Sequence, residues 1–180
     1  NEDLAKALKE SDPSTPIMVG GPHITTLREK AFLPQFDYAF VQEAEGSLVE
    51  FLNQYESGGD LSEVKGIMLR KDGEVISTGN PEPLSMDPET KGSTVGQYHP
   101  LDQFPFPARH LLNKEKYRLG TMHGRKHFTS IQTMRGCPWS CIFCASEALN
   151  TTRVILRSPE SVVDEIKQVV RDFPYITHFY

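Results

Sequence analysis

All the cysteines of this 180-residue chain lie in one short stretch, RGCPWSCIFCAS, from Arg135 to Ser146. They are Cys137, Cys141 and Cys144, at C-x3-C-x2-C spacing. An odd number of cysteines in so short a stretch does not suit a disulfide framework, and it is typical of a metal site in a reducing compartment. We therefore expect thiolates that ligate a metal or a cluster, in a cytoplasmic protein.

Three thiolates can serve two kinds of metal centre. A structural zinc site usually has four protein ligands, and His123 and His127 are candidates for the fourth. Zinc-ribbon sequences, however, commonly place their ligands as two short pairs far apart. Iron–sulfur clusters are mostly held by four cysteines, so three would leave one iron of a [4Fe–4S] cluster open to a small molecule. The trio favours the open cluster, and a zinc-stabilised binding module is the alternative.

The elements around the cysteines predict a βαβ unit. FTSIQTM, residues 128–134, is strand-like and runs straight into the cysteine loop. A helix follows, with Ser158 as its N-cap, Pro159 at its first position and Pro174 after its end. Its predicted buried stripe is Val162, Val163, Ile166, Val169, Val170 and Phe173. YITHFY then opens another strand, so the loop leaves the carboxyl end of a parallel strand, where such folds place active sites.

Residues 1–79 also alternate predicted strands and helices, the pattern of a parallel sheet covered by helices. Ile17–Gly21, IMVGG, predicts a buried strand that ends at two glycines, and Thr25 or Thr26 can cap a short helix through Leu33. FDYAFV predicts the second strand, and GIMLRKDGEVIST a hairpin that turns at Asp72-Gly73.

Between the second strand and the hairpin, QEAEGSLVEFLNQY predicts a helix. Its expected buried face consists of Leu48, Val49, Phe51, Leu52 and Tyr55.

Residues 80–127 have a different residue pattern from residues 1–79: prolines recur, and periodic apolar runs are few. We expect a Pro-rich linker that packs over a neighbour and has no core of its own. FPFPARHLL within it has enough apolar residues to dock.

Composition excludes several classes of protein. The formal charge of −5 gives no general attraction to nucleic acid. No apolar run approaches the roughly 20 residues of a membrane-spanning helix. The charged N-terminal residues do not form a secretory signal. Residue 1 falls within a predicted helix and residue 180 within a predicted strand, so we expect a fragment.

The cysteine stretch CPWSCIFC resembles the C-x3-C-x-aromatic-C motif of the radical S-adenosylmethionine (radical SAM) superfamily. The resemblance implies that Cys137, Cys141 and Cys144 ligate three irons of a [4Fe–4S] cluster. S-adenosylmethionine would chelate the fourth iron, and Phe143 would lie beside its adenine. One electron from the reduced cluster would then cleave the carbon–sulfur bond. Residues 128–180 would be the N-terminal part of the family's (β/α) barrel.

The N-terminal half of the chain resembles one subgroup of this superfamily. PIMVGGPHIT, FDYAFVQEAEGSLVEFL, GIMLRKDGEVI and the linker are similar, in this order, to the cobalamin-binding radical SAM proteins. Residues 1–79 would be the C-terminal part of a Rossmann-like cobalamin-binding domain. The cobalamin tail would lie near Gly20, Gly21, Pro22 and His23. The family often has Gly-Glu-Gly-Glu after its next strand; this chain has Gln42–Glu45, which keeps both acids.

The resemblance implies a cobalamin-dependent radical SAM enzyme that transfers a methyl group to an unactivated carbon, with Glu43 and Glu45 as further candidates at the cobalamin. It implies an external one-electron reductant of flavodoxin or ferredoxin type and a small-molecule or peptide substrate. This piece alone would be inactive. The alternatives are another radical SAM oxidoreductase and a methylthiotransferase; methylthiotransferases usually carry additional N-terminal cysteines, which this chain lacks.

Overall fold

The computed structural model describes residues 2–81, 100–113, 116–121, 124–149 and 154–180. The chain forms two compact units: the first is Asn1–Pro83 with Cys137–Thr152, and the second is Leu84–Gly136 with Arg153–Tyr180. The cysteine loop thus groups with the N-terminal part of the chain. The domain boundaries expected at residues 79 and 127 stay a prediction.

Helices and strands alternate along the first unit, which confirms the α/β class. Its N-terminal elements are α1 Glu2–Ser11, β1 Met18–Val19, α2 Pro22–Leu27, β2 Tyr38–Phe40, α3 Glu45–Ser57, β3 Ile67–Lys71 and β4 Glu74–Ser77. The strands form one sheet in the order β1-β2-β3-β4. β1 and β2 are parallel, and β3 and β4 are antiparallel to their neighbours. The predicted hairpin is present, since Asp72 and Gly73 have φ of 54° and 84°, as its two-residue turn requires.

Apolar clusters cover both faces of this sheet, because side chains alternate along β2. Ala39 and Val41 point into one cluster and Phe40 into the other. The first cluster contains Ala5, Ile24, Ala31, Phe32, Phe36, Ala39, Val41 and Met68. The second contains Phe40, Phe51, Val64, Ile67 and Leu69. α1 and α2 therefore cover one face, and α3 covers the other.

The prediction that Thr25 or Thr26 caps a helix through Leu33 is wrong. α2 begins at Pro22, directly after Gly21, and ends at Leu27. Proline suits a first helical position because it has no N–H to leave unpaired. Thr25 is buried, and its hydroxyl accepts a hydrogen bond from the Gln42 backbone N–H at 2.8 Å. A 3₁₀ turn continues from Arg28 to Ala31.

The buried face predicted for α3 is also wrong in part. Phe51 is fully buried, but four other members of that face are 39–60% exposed: Leu48, Val49, Leu52 and Tyr55. The helix instead turns Ser47 and Phe51, one turn apart, towards the sheet. The Ser47 hydroxyl donates to the Lys65 carbonyl at 2.6 Å, so the contact region is partly polar and narrower than expected.

The second unit contains the predicted βαβ arrangement. Its strands and helix are β5 Arg118–Thr121, β6 Gly124–Thr129, β7 Met134–Arg135, β8 Ile155–Leu156, α5 Pro159–Asp172 and β9 His178–Phe179. β6 and β9 pair in parallel, Phe128 opposite His178, with α5 between them in the chain. β5 was missed by the sequence analysis; it forms an antiparallel hairpin with β6.

Two details of the second unit differ from expectation. The strand predicted over residues 128–134 is interrupted: β6 ends at Thr129, and β7 begins only at Met134. In α5, Val163 and Val170 are 46% and 52% exposed, whereas Glu165 is fully buried beside Val169. Ser158 caps α5 as predicted, since its hydroxyl accepts the Ser161 N–H at 3.1 Å.

Of the helices in the described residues, none combines the length and the apolar character that crossing a lipid bilayer requires.

Candidate functional site

The cysteine loop opens between two short paired strands. It leaves β7 at Arg135 and returns to β8, where Arg135 lies opposite Ile155 in an antiparallel pair. Gly136 has φ of 89°, which favours glycine at the entrance of the loop. The pairing of β7 with β8 therefore holds the two ends of the loop side by side.

The three cysteines are free thiols with different exposure: Cys137 is half-buried, and Cys141 and Cys144 are exposed. The Cys144 N–H donates to the Cys141 carbonyl at 2.9 Å, which bends the backbone between the last two cysteines. Within the described residues, no three His, Cys, Asp or Glu side chains are grouped closely enough to hold a metal ion. The donor set suits an iron–sulfur cluster by its chemistry, and the three thiols as metal ligands stay a prediction.

Cys144 lies next to a hydrogen-bond donor. Its Sγ is 3.0 Å from the Ser146 hydroxyl and accepts the Ser146 N–H at 3.4 Å. These bonds, the hydroxyl first, lower the pKa of the Cys144 thiol. Ser146 also begins α4, Ser146–Leu149. The thiolate form, which ligates metals, is thus favoured at this position.

The loop exposes large apolar side chains: Trp139 is 71%, Ile142 104% and Phe143 89% exposed. Phe143, the predicted neighbour of the adenine, is therefore largely exposed to solvent.

His127 lies on β6 in the second unit. Its ring packs edge-on against Tyr175, with centroids 5.3 Å apart, and its Nδ1 is buried with no hydrogen-bond partner in the described residues. His123, the other predicted fourth ligand for zinc, lies outside the described residues.

The residues expected to bind cobalamin follow β1 and β2. Because these strands are parallel, Gly20 to His23 and the segment from Gln42 leave the same edge of the sheet. Gly20, Gly21, Pro22 and His23 are all exposed. Gly21 has φ of 88° and ψ of −170°, a conformation essentially restricted to glycine. This edge thus presents bare backbone on which a ligand can lie.

The acids after β2 are held by the protein. Glu43 and Glu45 are half-buried, and each interacts with another residue. Gln42, ahead of them, has φ of 56° although it is not a glycine. The hydrogen bond from its N–H to Thr25 of α2 fixes the turn at this strand end.

The cysteine loop and the glycine edge are neighbours within the first unit. α4, which follows Cys144 almost directly, lies beside α2, the helix that begins with Pro22 and His23. Two groups of predicted site residues, far apart in the sequence, therefore lie at or just before the starts of two adjacent helices.

Arginines hold the segment that leads into the loop, and the sequence analysis missed them. Arg109 donates to the Thr129 hydroxyl at 3.0 Å and to the Ser130 carbonyl at 2.6 Å, at the end of β6. Arg157, directly after β8, donates to the Gln132 carbonyl at 3.0 Å. The two arginines thus bind the irregular backbone between β6 and β7.

Glu165 of α5 joins these arginines. Its Oε1 accepts from Arg109 Nη2 at 2.6 Å, and its Oε2 accepts from Arg157 Nη1. Glu165 is 1% exposed and Arg109 8%. One feature of the sequence could have indicated that Glu165 is buried. It lies within the apolar stripe of α5, three residues after Val162 and four before Val169.

The docking predicted for FPFPARHLL takes place through its aromatic rings and Arg109. Phe104 lies under the guanidinium of Arg135 at 5.7 Å, and Phe106 under that of Arg157 at 5.5 Å. Leu111 and Leu112 remain exposed.

No protein-family model matches the chain. Among curated proteins, the chain is 27% identical over 168 residues to an uncharacterised methyltransferase of Pyrococcus horikoshii. This match covers 91% of the chain and 32% of that protein. It is 32% identical over 189 residues to the cytidylyl-2-hydroxyethylphosphonate methyltransferase of Streptomyces wedmorensis. That match covers 92% of the chain and 34% of the relative. The chain thus spans about a third of the length of the curated relatives it matches.

Among solved structures, the chain resembles TsrM from Kitasatospora setae, a radical S-adenosylmethionine methyltransferase solved with cobalamin and a [4Fe–4S] cluster. The TM-score is 0.61 at 19% identity, over 95% of this chain and 32% of the other. It also resembles OxsB, a cobalamin-dependent S-adenosylmethionine radical enzyme solved with aqua-cobalamin and S-adenosylmethionine. There the TM-score is 0.62 at 20% identity, over 99% of this chain and 22% of the other. At such identities the structures show a shared fold.

Proposed function

Since the relatives and the fold confirm the resemblance of this chain to the cobalamin-binding radical SAM proteins, we propose that the whole protein is a cobalamin-dependent radical SAM methyltransferase. The observation that carries the proposal is the position of α4 beside α2 in the first unit. α4 follows the loop of three free thiols and α2 follows the two glycines, so the two cofactor sites of such an enzyme would be neighbours.

Cys137, Cys141 and Cys144 would hold a [4Fe–4S] cluster. Three thiols and no fourth cysteine match a cluster with one iron open to S-adenosylmethionine. When bound, the cluster supplies the single electron that breaks the carbon–sulfur bond of S-adenosylmethionine. Ser146 stabilises the Cys144 thiolate, and the exposed ring of Phe143 would pack against the adenine.

Gly20, Gly21, Pro22 and His23 would hold cobalamin at the carboxyl edge of β1. When bound, cobalamin carries the methyl group between donor and acceptor. The lack of side chains at two successive positions allows the ligand to approach the backbone closely. Glu43 and Glu45, at the end of β2 on the same edge, are proposed as further contacts.

The acceptor is proposed to be an unactivated carbon of a small molecule. The methyltransferase names of both curated relatives support transfer of a methyl group. An external one-electron reductant of flavodoxin or ferredoxin type is proposed to supply the electron, as the resemblance to the radical SAM proteins implies.

The test is anaerobic reconstitution of the whole protein with iron and sulfide, followed by analysis of bound metal and cobalamin. We expect about four irons and four sulfides per chain, with cobalamin bound as well. Cys137→Ala should abolish cleavage of S-adenosylmethionine and leave cobalamin binding intact, and Ser140→Ala in the same loop is the control. Bound zinc without sulfide would support the zinc-stabilised module, and loss of cobalamin with Cys137→Ala would contradict two separate cofactor sites.

Gly21→Val tests the cobalamin edge. The side chain would project where no protein atom lies within 4 Å, so it would meet the ligand, and φ of 88° would strain the backbone as well. Gly58→Val is the matched control, since Gly58 at the end of α3 has φ of 70° and equally open space. We expect Gly21→Val to retain several-fold less cobalamin than Gly58→Val. Equal retention in the two variants would remove these residues from the site.

A further inference from the structure

Several backbone polar groups between β6 and β7, in residues 130–133, are bonded outside any strand ladder. The Ile131 N–H donates to the Tyr180 carbonyl at 2.9 Å. Side chains take the place of a neighbouring strand elsewhere: Arg109 binds the Ser130 carbonyl, and Arg157 binds the Gln132 carbonyl. The course of this segment is therefore set by two guanidinium groups.

Both guanidinium groups are oriented by one carboxylate. Glu165 accepts from Arg109 with one oxygen and from Arg157 with the other. Arg157 also donates to the Ser161 hydroxyl at 2.9 Å, and its Nε lies 4.0 Å from Asp102. We call Arg109, Arg157 and Glu165 the buried charge cluster.

Arg157 of the buried charge cluster lies beside both strands from which the cysteine loop extends. Arg157 follows β8, the strand at which the loop returns, and its own N–H donates to the Thr133 carbonyl at 3.0 Å. Arg135, the last residue before the loop, donates through its Nε to the Gln132 side chain at 3.0 Å. A shift of either arginine would therefore move the strands from which the loop extends.

We propose that Glu165 is a positioning residue for the cluster-binding loop, acting through Arg109 and Arg157. The proposal rests on the proposed function of Cys137, Cys141 and Cys144. Glu165 touches neither the loop nor its thiols; it fixes the direction of the two guanidinium groups that hold the loop's stem.

The energetics of buried ion pairs favour a role for Glu165 in positioning the loop over a role in stability. Replacing a buried ion pair by apolar side chains is often neutral or stabilising, so its presence is weak evidence of a contribution to stability. Bidentate and charge-assisted hydrogen bonds, by contrast, fix angles as well as distances. Three cysteines can share one cluster only if their backbone is held in one arrangement, and the large side chains of the loop are themselves exposed.

The experiment measures how fast the reconstituted whole protein loses iron to a ferrous chelator, together with the unfolding midpoint of the iron-free protein. Glu165→Gln keeps the size of the side chain and removes its charge. Asp164→Asn makes the same chemical change at the exposed neighbour, which pairs with Lys167. Val169→Ala is a destabilised control in the same helix, outside the buried charge cluster. We expect iron loss at least tenfold faster in Glu165→Gln than in either control.

Equal rates of iron loss in Glu165→Gln and Val169→Ala, compared at the same unfolding midpoint, would overturn the proposal, because Glu165 would then act through stability alone. If Glu165→Gln does not fold, Arg157→Lys replaces it. Lysine keeps the charge, but its donors are all on one nitrogen, whereas Arg157 reaches Gln132 and Glu165 with Nη1 and Ser161 with Nη2. A wild-type protein that takes up no iron and sulfide would overturn the proposed function and this inference with it. Iron bound normally in wild type and variants alike would overturn the inference only.

Discussion

The N-terminal sheet and the βαβ unit bury different kinds of side chain. Apolar side chains on both faces hold the sheet of β1 to β4 together, with Phe51 and Ile67 fully buried. In the βαβ unit, a carboxylate that is 1% exposed lies between two arginines, beside one fully buried valine, Val169. The sheet thus buries mainly apolar side chains, whereas the βαβ unit also buries a network of directed ionic hydrogen bonds.

The difference matches what each part has to position. Apolar burial is non-directional and roughly proportional to area, so it stabilises a sheet without fixing every angle. Ionic hydrogen bonds impose angles, and here they act where the cysteine loop begins and returns. If the proposed function is correct, the buried charge of the βαβ unit would position the strands from which the cysteine loop extends.

The largest effect on stability is expected in the sheet. Phe51→Ala would remove a ring packed against Tyr38 and Phe40, at centroid distances of 4.7 and 5.4 Å, and should lower the free energy of unfolding by about 3–5 kcal/mol. Denaturant titration of the whole protein measures it. Leu52→Ala, on the exposed side of α3, should cost about 0.5 kcal/mol or less. Equal costs would mean that the exposed face of α3 is covered in the whole protein.

A change of similar size is expected in the βαβ unit, but it should be reversible by a second substitution. Glu165→Leu leaves two buried arginines without their carboxylate and should cost about 3–5 kcal/mol. Adding Arg109→Met should recover most of that loss, because Arg157 keeps Asp102 as a partner. Denaturant titration of the single and double variants tests this. A double variant as unstable as the single one would mean that the charges themselves stabilise the unit.

A smaller, opposite effect is expected at the turn after β2. Gln42→Gly should raise the free energy of unfolding by about 0.5–1 kcal/mol, because glycine adopts φ of 56° without strain. Asp72→Gly, with φ of 54° in the hairpin turn, is the control, and its gain should be smaller since aspartate tolerates this conformation. Thermal unfolding compares the two. A loss of stability in Gln42→Gly would show that the Gln42 side chain contributes contacts.

The smallest effect is expected at the exposed turn after α1. Hydrogen bonds from Ser14 and Thr15 lower the pKa of Asp12 from 3.8 to about 2. A lowered folded-state pKa contributes stability above the unfolded value, and this contribution is lost as pH falls through about 2. Asp12→Ala should therefore lower the unfolding midpoint slightly at pH 6, and this difference should shrink as the pH falls from about 4 to below about 2. A pH-independent difference would exclude ionisation as the cause.

Local patterns in the sequence were sufficient for several elements. Ser158 and Pro159 began α5, Asp72-Gly73 formed the hairpin turn, and the parallel pair of β6 with β9 followed from a strand, loop, helix and strand in succession. Each depends on neighbouring residues or on a short connection. The prediction of buried residues failed in α3, which has apolar residues on several sides. Periodicity alone does not say which of these sides meets the sheet.

The sequence by itself determined the chemistry of the candidate site: three thiols at C-x3-C-x2-C spacing, two glycines after a strand, and the order of elements. Those are properties of residue types and short separations. Only the tertiary structure brought α4 beside α2 and placed Glu165 between Arg109 and Arg157. The contacts of α4 with α2 and of Arg109 with Glu165 join residues far apart in the chain, and such contacts leave no periodic trace in the sequence from which they could be predicted.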